Sequence, residues 1–458
     1  MAADHRSWQD HDLLHWLGKE APRYTSYPSA HHFRPVTPQT YAGWLGALMP
    51  DRSVGLYVHV PFCEQMCWFC GCNTQITRRY EPVEAYVDNL IAEIALVAGH
   101  LRFRPRVHAL HFGGGSPGMM MPHTLRRLFD AIHAAFDLLP DAELSIELDP
   151  RRLTHDKVRA YAEHGFNRVS LGVQDTQEKV QKVINRLQPM DEVARAVDRL
   201  RSVGIDQLGI DLIYGLPHQT IDSLDRTLND VAQLNPQRIS AFSYAHVPWV
   251  KKHQRLIDET ALPDTAAKAR QFLQIDVGLR DLGYTAIGID HFARPDDGLA
   301  RAVAEGRLRR NFMGYTDLPN DRLIALGASS ISELDEGIAQ NIPQATSYAA
   351  RIAAGQLPTV RGWTYHGDDR MRREIISSLM CTFTADVGDI LIRHGYAYNS
   401  LDDELEALAP FIAAGLVQVA QRKVIFHSPL KMLVRSVACT FDRYAREGEG
   451  GHRYSRVA

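Results

Sequence analysis

Residues Gly55 to Cys72 read GLYVHVPFCEQMCWFCGC. A short apolar, β-branched run ends at Pro61. Cys63, Cys67 and Cys70 then follow with three and two residues between them, and Cys72 comes after a single glycine. Thiolates gathered this closely suit a metal centre, and soft sulfur ligands favour zinc, copper(I) or an iron–sulfur cluster. A disulfide framework is the poorer reading, because of the six cysteines in 458 residues only Cys381 and Cys439 remain to staple the chain.

Outward from this loop, strand-like runs alternate with amphipathic segments. GLYVHVP, VHALHFGGG, ELSIELDP, RVSLGVQD, QLGIDLIYGLP and RISAFSYAHVP are separated by helical candidates near residues 84–98, 122–136, 154–164, 190–203, 221–233 and 264–282. Strand then helix, repeated, predicts parallel strands with crossover helices. A closed eight-stranded barrel needs two more repeats, and Tyr284–Phe292 is the one further strand candidate. The expectation is an α/β fold, an incomplete (β/α)6 barrel over residues 53–300, open on one side.

Each run ends in polar groups that an apolar core would not want: Gly113 to Ser116, Glu147 and Asp149, Gln174 and Asp175, Asp211, and Tyr244 with His246. Any one of them reads equally as a helix cap or loop carboxylate. The same habit at five successive strand ends points to a site at the C-terminal edge of the barrel, where such folds place their chemistry.

Residues 1–52 are expected to form an N-terminal arm. Arg23, Tyr24, Tyr27 and Phe33 suit docking on the body better than disorder, which is poor in aromatics. Residues 301–367 read as a connecting segment, loop-rich and then helical. Residues 368–458 read as a small, mainly helical C-terminal domain with a hairpin in LVQVAQRKVIFHSP and a last helix from about Leu430 to Arg446.

A formal charge of −3 argues against a nucleic-acid surface, whose footprint is basic. No apolar run reaches the roughly 18 residues of a membrane span. The first twenty residues lack a signal-peptide core. A cluster of free thiols fits a reducing cytoplasm.

Among the metals, structural zinc wants a second pair of ligands that is missing. A redox dithiol could use Cys67 and Cys70 but leaves Cys63 without a purpose. The third reading is a cubane of four irons held by Cys63, Cys67 and Cys70, with one iron left open.

The cysteine spacing, with the aromatic Phe69 before the third cysteine, and HFGGGSP (111–117) resemble the signature of the radical S-adenosylmethionine superfamily. The resemblance sharpens with PRYTSYP, LYVHVPFC, CWFCGCN, SIELDPR, GFNRVSLGVQD, IDLIYGLP and IDHFARPDD. Together they are similar to the oxygen-independent coproporphyrinogen III oxidase (dehydrogenase) family of haem biosynthesis, from about Ala21 to Val457.

That resemblance implies one [4Fe-4S] cluster on Cys63, Cys67 and Cys70, and two molecules of S-adenosylmethionine. Tyr57, Gly114, Glu147 and Ile331 would line the first and Gly115, Ser116, Gln174, Arg186, Asp211 and Ala245 the second, with Phe69 a further cofactor-binding residue. The implied reaction turns two propionate side chains of coproporphyrinogen III into vinyl groups, giving protoporphyrinogen IX, by means of a 5′-deoxyadenosyl radical. It needs a low-potential electron donor and an electron acceptor. Cys72 is read as a wall of the site with an added role in hydrogen transfer, and Arg23 as a clamp on the substrate's carboxylates.

The expected partners include no nucleic acid and no membrane, and the expected state is a monomer. Ser116 replaces a usual Thr of the family, Met313 a Gln, Arg322 an Asp and Ala325 a Gly. The last three bear on the second cofactor site or substrate choice more than on the cluster. Two other readings are a haem-binding chaperone, a group that usually lacks the arm and the CGCN ending, and a radical enzyme acting on another tetrapyrrole.

Overall fold

The computed structural model describes residues 11–318, 322–446 and 454–457. Its centre is six parallel strands, β1 (Val54–Val60), β2 (Arg106–Gly114), β3 (Asp137–Leu148), β4 (Arg168–Gln174), β5 (Gln207–Tyr214) and β6 (Arg238–Ser243), side by side in that order. Helices α1 (Glu81–His100), α2 (Pro122–Ala135), α3 (His155–Glu163), α4 (Met190–Arg201) and α5 (Ile221–Gln233) make the crossovers, and α6 (Thr265–Asp281) follows β6. Nearly every residue of β1 is buried, as expected of a parallel strand covered on both faces. On α1, Val83, Val87, Leu90, Ile94 and Val97 form the stripe that packs on the sheet. Each such side chain contributes roughly 1.5–3 kcal/mol of burial.

The sheet continues beyond the six strands without closing. Past β6 come His291–Ala293 and then Thr285–Ile287, both antiparallel. Tyr284–Phe292 is therefore not one extra strand but parts of a hairpin turning at Gly288, whose φ of +54° favours glycine and where a Cβ would lie 2.1 Å from the Tyr315 ring.

Past β1 the order is Leu323–Leu326, Ile331–Leu334, Gly337–Asn341, Thr359–Thr364 and the arm's Arg34–Pro35. Leu323–Leu326 runs parallel to β1, with Ala325 opposite Tyr57. Residues 301–367, expected to be loop-rich and then helical, thus supply four strands of the main sheet. The LIAL run is too short to read as a strand, and its partner lies far upstream, beyond the reach of local pattern.

The arm docks on this body, burying Leu17, Ala21, Tyr24 and Tyr27. In the C-terminal region the expected hairpin forms, Val417–Ala420 with Lys423–Phe426, turning at Gln421 and Arg422, both with positive φ. The expected last helix is broken into Lys431–Leu433, Val434–Cys439 and Arg443–Arg446. At the break, Asp442 accepts the Tyr24 hydroxyl (3.1 Å) and the N–H groups of Tyr444 and Ala445 (3.0 Å each). A continuous helix would deny it these partners.

Candidate functional site

Past β1, Phe62–Cys63 pairs in parallel with Gln75–Ile76, so the residues between form a loop hung on the C-terminal end of that strand. Segments distant in sequence clamp the loop. Asn185 exchanges hydrogen bonds with Gln65 (2.9 Å) and the Met66 carbonyl (2.8 Å). Gln254 donates to Phe69 O (2.9 Å), His253 Nε2 to Cys70 O (2.7 Å) and Lys251 Nζ to Cys72 O (2.9 Å).

Each of the three spaced sulfurs meets a donor. Thr74 Oγ1 lies 3.3 Å from Cys63 Sγ, Arg186 Nη1 3.4 Å from Cys67 Sγ, and the Cys72 N–H 3.4 Å from Cys70 Sγ. Hydrogen bonding from Cys72 pulls the Cys70 thiol down to about 6 against the effect of burial, while burial pushes Cys63 up to about 11. Cys63 thus gives up its proton on ligating a cation, and metal loading releases protons. Three soft sulfurs, each met by a donor and all facing one cavity, fit an iron–sulfur cluster.

The glycine run packs beneath this loop. Gly115 N–H donates to Val60 O (2.9 Å) and Ser116 N–H to Phe62 O (2.8 Å). A Cβ at Gly115 would stand 2.8 Å from the Phe62 backbone and from Thr74 Oγ1. The glycine is thus required by the loop's own backbone, before any cofactor approaches.

Two imidazole relays lie behind. His59 Nε2 donates to Asn73 O (3.1 Å), so its Nδ1 accepts from the Tyr57 hydroxyl (3.0 Å), and burial keeps the ring neutral. His111 bridges Ser145 Oγ (2.7 Å) and Glu147 Oε1 (3.1 Å). Burial would raise the Glu147 carboxyl, but its hydrogen bond from His111, that ring's charge and the Gly114 N–H hold it low. The Glu147 side chain is 44% exposed, and that exposure is to the cavity.

Asp211, hydrogen-bonded by Ser170 (3.0 Å), is pushed up to about 6 by burial and by Glu147. Asp149 is held at about 2, where Arg186 and Arg151 outweigh burial. Gln174 takes a φ of 70°, a cost for a non-glycine residue of the sort that gathers at functional sites.

These groups line one cavity of about 580 Å³ at the strands' C-terminal ends. Arg23, Cys63, Cys67, Phe69, Cys70, Cys72, Gly114, Gly115, Ser116, Glu147, Gln174, Arg186, Asp211 and Ala245 all reach it. Tyr57 is set back, stacked on His111 with ring centroids 5.8 Å apart. Ile331 is not brought to the cavity; it packs beside Phe33, Ile338 and Trp363 under the arm. Of the three substitutions in the 313–325 stretch, only Met313 lines the cavity. Arg322 pairs with Asp335, and Ala325 is buried beside Ser332.

Sequence reasoning missed the loop clamps at Asn185 and Lys251–Gln254, which follow no period. It also missed His59 and His111, although His59 shares a strand face with Tyr57 two residues away. The cavity floor was missed as well: there Glu143, Arg168, Arg238 and the buried Asp297 form an ion network in place of hydrocarbon.

Comparison with known proteins is consistent with this site. The profile described as the radical SAM superfamily matches residues 57–231. The oxygen-independent coproporphyrinogen III oxidase of Bradyrhizobium diazoefficiens is 46% identical over 443 residues, covering 96% of this chain and 98% of its own. The enzyme of that name from Escherichia coli is 37% identical over 458 residues, covering both chains completely. A solved structure described as coproporphyrinogen III oxidase (HemN) from Escherichia coli, a radical SAM enzyme, superposes with a TM-score of 0.87 at 36% identity, covering 93% of this chain and 100% of that one.

Proposed function

This chain belongs to the oxygen-independent coproporphyrinogen III oxidases of the radical SAM superfamily, and from that premise we propose that it oxidatively decarboxylates two propionates of coproporphyrinogen III, giving protoporphyrinogen IX. The observation that carries the proposal is the convergence of three donor-supported thiols, Cys63, Cys67 and Cys70, on a cavity shared with the glycine run and with Glu147 and Asp211.

Cys63, Cys67 and Cys70 would hold a [4Fe-4S] cluster, which with S-adenosylmethionine would supply a radical able to take hydrogen from the propionate β-carbon. Gly114 and Glu147, on β2 and β3, are suited to the first cofactor molecule, since both reach the cavity. Gly115, Ser116, Gln174, Arg186, Asp211 and Ala245, with Phe69 in the loop, are suited to a second molecule, since each reaches the same cavity. Asp211 can accept hydrogen bonds from hydroxyls or an ammonium, and Arg186 can pair with a carboxylate. Tyr57 acts through its contacts with His59 and His111, and Ile331 is left out of the site. Cys72 has a raised thiol pKa, owing first to its hydrogen bond with Cys70 and then to burial, so it holds a proton at the cavity wall.

Each propionate loses a β-hydrogen and its carboxyl group as carbon dioxide, and the remaining electron goes to an acceptor. The donor is a low-potential electron carrier. No described helix is long and apolar enough to cross a membrane. A monomer in a reducing cytoplasm is part of the proposal, supported by the free thiols.

The test is anaerobic reconstitution with iron and sulfide, then addition of reductant, S-adenosylmethionine and coproporphyrinogen III. Protoporphyrinogen IX is expected. Cofactor cleavage without decarboxylation would assign another tetrapyrrole substrate, and stable haem binding without turnover would assign a chaperone.

A further inference from the structure

Where the arm crosses the end of β6, positive charge accumulates without a matching carboxylate. Arg435 lies buried and donates to four main-chain carbonyls: Ala21, Pro22 (3.0 Å), Arg456 (3.2 Å) and Val457 (3.1 Å). Arg310 Nη1 takes the next carbonyl, that of Arg23, at 3.0 Å, while its buried Nε has no partner. The Arg23 side chain, whose segment these two arginines hold by the carbonyls of Ala21, Pro22 and Arg23, reaches Ser243 O at 3.3 Å. Lys268 of α6 donates to the following carbonyl, that of Tyr244, at 3.0 Å.

Among the described residues, none of these four cations forms an ion pair. Asp290, the carboxylate that acts on both Arg23 and Arg310, already has its Oδ1 2.7 Å from His291 Nδ1. Arg435 is buried, Arg310 and Lys268 are half-buried and Arg23 is exposed toward the cavity, so this group carries an excess of positive charge that suits an anion from outside the chain. Arg23 opens onto the same cavity as the thiols. Its strand end lies five strand spacings from theirs, about 24 Å along the curved sheet.

We propose that Arg23, with the charge of Lys268 behind it on the neighbouring carbonyl, forms a carboxylate subsite that takes a propionate of the substrate remote from the one being oxidised, with Arg310 and Arg435 fixing the arm that presents Arg23. This rests on the tetracarboxylate substrate proposed above. The apolar macrocycle would then be held across the cavity with one edge at the cations and the opposite edge toward the thiol loop. The Arg23 guanidinium, bonded to one carbonyl, leaves its other N–H groups free to pair with carboxylate oxygens, and the Lys268 ammonium adds its charge from the next carbonyl.

The test is equilibrium binding of coproporphyrin III, the unreactive oxidised macrocycle with the same four propionates, to the reconstituted protein, followed by porphyrin fluorescence. Its tetramethyl ester is the control. The wild-type protein is expected to bind the acid at least tenfold more tightly than the ester. Arg23→Gln and Lys268→Gln should each weaken the acid by roughly tenfold or more, leaving the ester unchanged. Arg23→Lys should recover part of the loss.

Variants that bind the acid as tightly as the wild type would overturn the subsite while leaving the substrate assignment intact. Loss of acid and ester together would also overturn it, by showing damage to the cavity in place of a lost anion contact. A wild-type protein that binds neither would instead bring down the substrate assignment itself.

Discussion

Arg186 touches Cys67: Nη1 stands 3.4 Å from the sulfur, while Nη2 of the same guanidinium donates to Gly172 O at 2.5 Å. A positive donor on a ligating thiolate favours the reduced cluster, because reduction adds negative charge. Arg186→Gln should therefore shift the cluster's midpoint potential to more negative values, with iron content unchanged, in a redox titration followed by electron paramagnetic resonance. Arg186→Lys should shift it less. An unchanged potential in both would show that the guanidinium does not act on the cluster.

Cys63, Cys67 and Cys70 each meet a donor, whereas Cys72 supplies one to its neighbour. Replacing any of the first three by Ala should abolish bound iron and sulfide after reconstitution. Cys72→Ser should retain them with little turnover. Iron loss in Cys72→Ser would reassign the ligands.

Gly115 leaves no room for a methyl group against the backbone of the thiol loop. Gly115→Ala should cost about 1–3 kcal/mol through forced backbone movement. It should also lower iron loading, because the displaced residues carry Cys63. Full loading at wild-type thermal stability would show that the loop yields freely.

Glu93, 1% exposed on α1, accepts from the Tyr348 hydroxyl (2.6 Å), Asn341 Nδ2 (2.6 Å) and the Gly327 N–H (2.7 Å). Burial nevertheless raises its carboxyl to about 7 from an ordinary 4.5. Between those values the folded protein holds a proton that the unfolded chain has lost. Stability should accordingly fall as pH rises through that window, by up to about 3 kcal/mol. Glu93→Gln removes this component, so its Tm relative to wild type should rise between pH 5 and pH 8. Parallel curves would contradict it.

How far the site could be read in advance followed distance along the chain. The cysteine spacing, the glycine run and each polar strand end are local patterns of a few residues, and Glu147, Asp149, Gln174, Asp211 and Tyr244 reach the cavity with them, whereas Asp175 turns to Gln177 and Gln219, and His246 to Tyr244 and Glu259. Groups placed by pairing between remote segments did not show. Asn185 and His253 carry no pattern until they meet the loop, and Leu323–Leu326 becomes a strand only beside β1. Arg435 reads as an ordinary helical cation, and its meaning comes from the two chain ends that it joins. Ile331 was expected from resemblance alone, and its packing against Phe33 and Trp363 keeps it away.

The position of β1 between β2 and Leu323–Leu326 sets an order of assembly. The strand that carries the thiol loop emerges early, but its second neighbour is made only when about 70% of the chain exists, and the Lys251–Gln254 clamp also comes long after the cysteines. Pairing over so long a separation is slow and leaves edges open in the meantime. A nascent chain on the ribosome thus carries its cysteines on a half-paired strand. Iron delivered before residue 326 has emerged would meet a loop carried on a strand that still lacks its second neighbour.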